Sequence, residues 1–242
     1  MMVEYLILFV VASLAGGIAS LSGFGIGSLL TPLLALRLDL QLAVAAVSIP
    51  HFLGTAVRFF LLRQHMRKDI LISFGIWSAL GGLTGALLHN IAASPVLIKV
   101  FAALLVFAGV TGLFGLTEKI KIAAKFSWLA GLISGLFGGL VGNQGGIRAA
   151  ALLSFNLSRQ EFVATATAVG LIVDIARMPV YMVGRGADLL PVWLPILIAS
   201  VGVLAGTWLG KPVLGKLSET TFKRLVAFTI LSLGICMFLN AR

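Results

Sequence analysis

Cysteine occurs once, as Cys236 inside the last apolar segment, so this chain can form neither an intrachain disulfide nor a cysteine metal cluster. Histidine is almost as scarce. His51, His65 and His89 are the whole complement, and none stands in a His-Glu-x-x-His zinc motif. A Gly-x-Ser-x-Gly nucleophile elbow is missing, and no paired carboxylates lie within an apolar stretch for an aspartyl mechanism. These gaps argue against a membrane-embedded enzyme, and no cofactor or metal is expected. Charged residues make up only 11% of the chain, and no polar stretch exceeds about ten residues, so no separate soluble domain is expected. Met1 to Ala12 carries no Lys or Arg before its apolar run, which reads as a retained first helix rather than a cleaved secretory signal.

Apolar residues are plentiful: they account for 60% of the chain, and the mean hydropathy is +1.10. Segments near 3–22, 42–62, 70–89, 96–116, 161–183, 190–210 and 222–240 each approach the roughly 20 residues that a bilayer core requires. The expected class is an all-α polytopic membrane protein. A formal charge of +10 would ordinarily raise nucleic acid as a partner, but the cations sit mostly in short loops between spans and form no basic stripe. The lipid bilayer is the expected partner.

The chain reads as an internal duplication, with a first repeat over 1–117 and a second over 118–242. Leu14, Ala15, Gly16, Ile18, Leu21 and Gly23 return as Leu129, Ala130, Gly131, Ile133, Leu136 and Gly138, an offset of 115. Leu38, Gln41, Val44, Ala45, Arg58 and Asp69 return as Leu157, Gln160, Val163, Ala164, Arg177 and Asp188, an offset of 119. Gly81 and Gly85 match Gly202 and Gly206 at an offset of 121. Each half opens with two apolar pieces parted by glycines, at 20–27 and at 135–146, and continues with three full-length spans.

Repeated glycine weakens a helix, and unwound backbone at membrane depth survives only inside protein or beside water. Breaks at matching positions point to a transporter's binding site, with close packing by small residues as the competing reading. Broken helices are favoured for the early clusters, because Asn143, Gln144 and Arg148 adjoin the second. Packing is favoured for Gly81-xxx-Gly85 and Gly202-xxx-Gly206.

Orientation follows from counting cations, which gather on the cytoplasmic side. If each opening pair returns to the side it left, Arg63, Arg67, Lys68, Lys119, Lys121, Lys125, Arg159, Lys211, Lys216, Lys223 and Arg224 share one side. Arg37, Lys99, Arg185 and Arg242 then lie opposite, giving 11 against 4 with Arg58, Arg148 and Arg177 inside the membrane. A single crossing by each pair would give 8 against 7. Two inverted repeats with both termini outside the cytoplasm are therefore expected, whether the opening pairs are re-entrant or complete spans.

Arg58 and Arg177 hold equivalent places deep within apolar stretches, where an unpaired guanidinium costs a few kcal/mol or more. Helix N-termini at the breaks favour an anion, and guanidiniums can fork onto an oxyanion. Arg148 directly follows the second break and is the foremost candidate for cargo contact. Asp174 stands three residues before Arg177 on one helical face, so an ion pair competes with a cargo role there. Arg58 has no carboxylate one turn away, and its alternatives are a cavity or snorkelling toward the loop at Arg63 to Lys68. His51 reads either as a titrating group in a proton-coupled cycle or as a core histidine. Asp69 and Asp188 read as helix N-caps. Thr165 and Thr167 either line a polar cavity or bond backbone carbonyls.

The run Gly142-Asn143-Gln144-Gly145-Gly146-Ile147-Arg148, followed by Asp174 and Arg177, together with two glycine-broken segments and the duplication, resembles the TauE/SafE family of sulfite exporters. The resemblance covers nearly the whole chain. It implies a multi-pass secondary carrier of the bacterial inner membrane, moving sulfite, sulfonates or other small inorganic or organic anions, commonly driven by an ion gradient. The expected cargo contacts are Arg148, Arg58, Arg177, Asn143, Gln144, Gly145, Gly25 and Gly27. Asp174 and His51 are coupling candidates, with H+ as a coupling ion. A passive anion channel is the alternative, and a homo-oligomer is compatible with the pattern. The first half has Gly23-Phe24-Gly25-Ile26-Gly27-Ser28 where the family carries Gly-x-Gly-Gly-Gly, which leaves the contacts of that half open.

Overall fold

In the computed structural model of the protein, the described residues are 2–89, 95–115, 124–142, 145–152, 155, 157–214 and isolated positions from 224 to 239. They are helical throughout, joined by turns and short 3-10 segments. Helix α1 spans Met2–Ser22, α2 Ile26–Ala35 and α3 Leu40–Leu62. Helix α4, Lys68–Ile70, continues through a π-helical turn at Leu71–Gly75 into α5, Ile76–His89. Then follow α6 Pro95–Leu113, α7 Ser127–Val141, α8 Gly145–Leu152, α9 Arg159–Leu189 and α10 Trp193–Leu214.

Among the described residues, four stretches are long and apolar enough to cross a membrane: Met2–Ser22, Leu40–His65, Lys68–His89 and Gln160–Leu209. The last holds 50 residues, about 75 Å of helix at 1.5 Å per residue, more than one crossing can use. The 3-10 turn Leu190–Val192, with Pro191 at its start, divides it into α9 and α10. Six of the seven apolar segments read from sequence thus become α1, α3, Lys68–His89, α6, α9 and α10. The seventh, 222–240, lies mostly outside the described residues.

Helices α3 and α9 pack against each other and run antiparallel. Asp39 at the start of α3 meets Arg185 near the end of α9, His51 meets Asp174, and Arg67 beyond α3 meets Glu161 in the first turn of α9. Both helices are properly started. Asp39 accepts a hydrogen bond from the Leu42 amide, and Ser158 forms a capping box with Glu161. Asp69 and Asp188, expected as N-caps, are not: Asp69 lies inside the first turn of α4 and binds Arg67, while Asp188 lies in the last turn of α9 and binds Arg185. The caps sit instead at Asp39 and Ser158, themselves 119 positions apart.

Glycine permits the closest helix pairs. A Cβ on Gly202 or Gly206 of α10 would strike the carbonyl oxygens of Phe9 and Ser13 on α1. One on Gly81 or Gly85 of α5 would strike those of Leu132 and Leu136 on α7. In each pair both helices ascend together, so α1 is parallel to α10 and α5 to α7. Apart from these, α6 lies against the described positions of 227–234, with Gly109 at Leu231 and Gly112 at Ala227. Side chains such as Phe107, Trp128, Val183 and Trp208 remain exposed, as expected of a surface turned to lipid.

Candidate functional site

Two glycine breaks interrupt the opening helix pairs. At the first, Gly23 and Gly25 adopt φ of 80° and 127°, a region that only glycine enters readily. The pair then folds back, since Arg37 beyond α2 bridges at 2.8 Å to Glu4 in the first turn of α1. Helix α2 has 10 residues and α8 has 8, so neither is long enough to cross a bilayer alone. At the second break Gly142 ends α7 with φ of 73°. The two breaks touch. A Cβ on Gly27 would lie 2.2 Å from the Gly142 carbonyl oxygen, and one on Gly145 would lie 2.8 Å from the Phe24 ring.

Beside this crossing, α3, α8 and α9 bring together five charged or titratable side chains. Arg58, Arg148 and Arg177 are 2%, 2% and 1% exposed, Asp174 is 0% and His51 is 6%. Asp174 is the hub. Its Oδ1 accepts from Arg177 Nε at 3.0 Å and Nη2 at 2.8 Å, while Oδ2 lies 2.6 Å from His51 Nδ1. Arg177 also donates from Nη1 to the Gly138 carbonyl. The ion pair expected from the three-residue spacing is therefore present, and it shares its carboxylate with a histidine from the other half of the chain.

The remaining arginines have no such partner. Arg148 donates from Nη1 to the Ala166 carbonyl at 3.0 Å, with that Nη1 packed against Gly170, where a Cβ would approach it to 2.7 Å. Arg58 donates from Nη2 to the Thr55 hydroxyl at 3.2 Å. That contact points back along α3 into the protein, away from the loop at Arg63 to Lys68, so Arg58 does not snorkel. Arg58 Nε and Nη1, Arg148 Nε and the hydroxyls of Thr31 and Thr167 are buried with no hydrogen-bond partner in the structure. Buried donors are nearly always paired, so this cluster of unmet groups is exceptional.

Coulombic coupling links Arg58 to Arg148, and both to Asp174. Three guanidiniums less one carboxylate leave a formal +2 with His51 neutral. Of the residues singled out from sequence, Arg58, Arg148, Arg177, Asp174 and His51 converge, and Gly25, Gly27 and Gly145 line the crossing of the breaks. Asn143 and Gln144 lie outside the described residues. Thr167 stands among the unmet groups, whereas Thr165 accepts from the Arg67 amide at 3.1 Å, toward one end of α9.

Several participants were not identified from sequence. Thr55 lies four residues after His51 and three before Arg58, a spacing that places all three on one helical face. Tyr181, one turn beyond Arg177, donates its hydroxyl to the Gly139 carbonyl. His89, at the end of α5, reaches the Leu140 carbonyl. Helical spacing could have found Thr55 and Tyr181. Nothing local could have found His89.

Fold and site together define a multi-pass helical membrane protein with an excess of positive charge buried between its central helices. The family model for sulfite exporter TauE/SafE matches residues 8–237, and the chain belongs to that family. No curated protein and no solved structure matches it. Membership makes the chain a membrane transport protein of a family that exports sulfite and related anions, which fits the absence of enzyme motifs.

Proposed function

We propose that the protein is a secondary active carrier that moves a small anion, such as sulfite, an organosulfonate or a related sulfur-containing anion, across the bacterial inner membrane by alternating access. One observation carries the reading. Arg58 and Arg148 are buried guanidiniums with unmet donors and no carboxylate of their own. A charge at that depth is costly unless something pairs with it, and an oxyanion offers both the charge and the acceptors.

In this reading the anion binds between Arg58 and Arg148 at the crossing of the breaks. Arg177 helps from its pair with Asp174, and Thr31 and Thr167 donate hydroxyl hydrogen bonds. Asn143, Gln144 and the backbone at Gly25, Gly27 and Gly145 complete the cradle. Two inverted halves, 1–117 and 118–242, form the moving parts. The antiparallel course of α3 and α9 supports them, as does the matched pairing of α1 with α10 and of α7 with α5. Ion pairs stand at both ends of the central helices, Arg185 with Asp39 and Arg67 with Glu161, so each end can part while the other stays joined. His51, hydrogen-bonded to the carboxylate that neutralises Arg177, carries the coupling proton in this reading.

Proteoliposomes loaded with sulfite, sulfate, thiosulfate, a small sulfonate or a carboxylate test this. A carrier gives saturable uptake and counterflow with a sulfur anion. Linear flux without counterflow would make it a channel, and a carboxylate as best cargo would reject the sulfur anion.

A further inference from the structure

Helix α7 stops at the second break, where its last carbonyls gather at the negative end of the helix dipole, that of Gly138 also accepting from the Gly142 amide at 3.1 Å. Three side chains from other helices receive three successive ones. Arg177 Nη1 donates to Gly138, the Tyr181 hydroxyl to Gly139, and His89 Nδ1 lies 2.7 Å from the oxygen of Leu140. The other nitrogen of His89, Nε2, lies 3.2 Å from the carbonyl oxygen of Gln41 in the first turn of α3. Both ring nitrogens therefore face acceptors that cannot donate. A neutral imidazole carries one N–H and can satisfy only one of them, while an imidazolium satisfies both.

We propose that His89 is a proton-binding site: protonated, it ties the end of broken helix α7 to the start of α3, and loss of the proton releases one of the two contacts. The groups around the ring are suited to a cation. From α9, Arg177 is neutralised by Asp174, and Arg185 by Asp39 and Asp188. Tyr181, also from α9, places its ring 5.3 Å from the imidazole. From α3, Gln41 donates to the His89 carbonyl and accepts from Arg185 Nη1 at 3.2 Å. Among the described residues α7 presents only its carbonyl end, which favours positive charge. His89 is 0% exposed, yet Gln41 and Arg185 connect it to Asp39 and Asp188, whose side chains are 54% and 53% exposed. His51, by contrast, has a carboxylate beside it and serves the anion site. Protonation of His89 thus acts on the geometry of the second break, and its use in transport rests on the carrier reading above.

Nitrogen-15 NMR of histidine-labelled full-length protein in nanodiscs tests the site without any transport assay. The resonance is assigned by its loss in His89→Gln or its persistence in the double variant His51→Asn/His65→Asn, which leaves His89 as the one histidine, so one folded variant suffices. The expected result is a ring with both nitrogens protonated at the acid end of roughly pH 5 to 8, the window in which imidazole titrates, converting to a single tautomer as pH rises. A ring that keeps one bare nitrogen throughout that window overturns the proposal. For coupling, anion flux in wild-type proteoliposomes is expected to include a component that follows the His89 titration, and His89→Gln is expected to lose that component. An unchanged pH profile in the variant overturns the coupling. Absent flux in the wild type, with a titrating ring, would instead sink the carrier reading and leave the proton site standing.

Discussion

Gly27 on α2 and Gly142 at the end of α7 touch backbone to backbone, joining the interrupted helix of one half of the chain to that of the other. A methyl at Gly27 would sit 2.2 Å from the Gly142 carbonyl oxygen, which is backbone and cannot swing aside as a side chain can. Gly27→Ala is therefore expected to destabilise the protein by about 1–3 kcal/mol through overpacking. Gly186→Ala is the control, since nothing lies within 4 Å of a Cβ there. It should be neutral or stabilise by up to about 1 kcal/mol, because alanine favours helix. Unfolding in detergent compares the two, and equal effects would refute the backbone contact.

Arg148→Ala should abolish anion transport while leaving membrane insertion intact. Removing one partner of a buried charged contact costs about 2 kcal/mol or more, so binding should weaken at least about 30-fold. Arg148→Lys keeps the charge but loses the planar fork, and should fall between. Normal flux in the alanine variant would remove Arg148 from the site.

Asp174→Asn removes the charge that neutralises Arg177, which keeps the Gly138 carbonyl and the Tyr181 ring as neighbours, and deprives His51 of its carboxylate. Breaking a buried pair from one side typically costs about 3–5 kcal/mol. Pairing the change with Arg177→Gln should recover part of that loss, giving a double variant more stable than the sum of the singles. Additive losses in chemical unfolding would mean that the two residues act independently.

Asp39 supplies an acid-sensitive contribution to stability. Burial alone would raise its carboxyl, but hydrogen bonds from Arg185 and the Leu42 amide, with the nearby guanidinium charge, hold it below its ordinary value. A depressed carboxyl stabilises fully above its unfolded value, and that contribution fades as pH falls through the lowered one. Thermal midpoints measured from neutral to strongly acid pH should show a shallower acid decline in Asp39→Asn than in wild type. Parallel curves would contradict the link to Arg185.

The class of protein and the identity of its buried charges were legible in the chain itself, because both follow from local arithmetic. Hydrophobic runs of bilayer length admit few solutions other than spanning helices, and an arginine within such a run must find a partner or a cavity. Asp174 and Arg177 could be paired by helical spacing alone. Asp69 and Asp188 misled because a carboxylate after a loop looks like a cap, whereas each faces an arginine on its own segment.

Composition and periodicity determined that the protein lies in a membrane and keeps several guanidiniums there, since hydropathy and helical repeat are properties of neighbouring residues. Tertiary structure decided which of those cations shares a carboxylate with His51, which two retain unmet donors, where the glycine breaks cross, and why His89 faces two carbonyls. Those relations join residues dozens to more than a hundred positions apart, and only the packing of helices from both halves brings them within hydrogen-bonding distance.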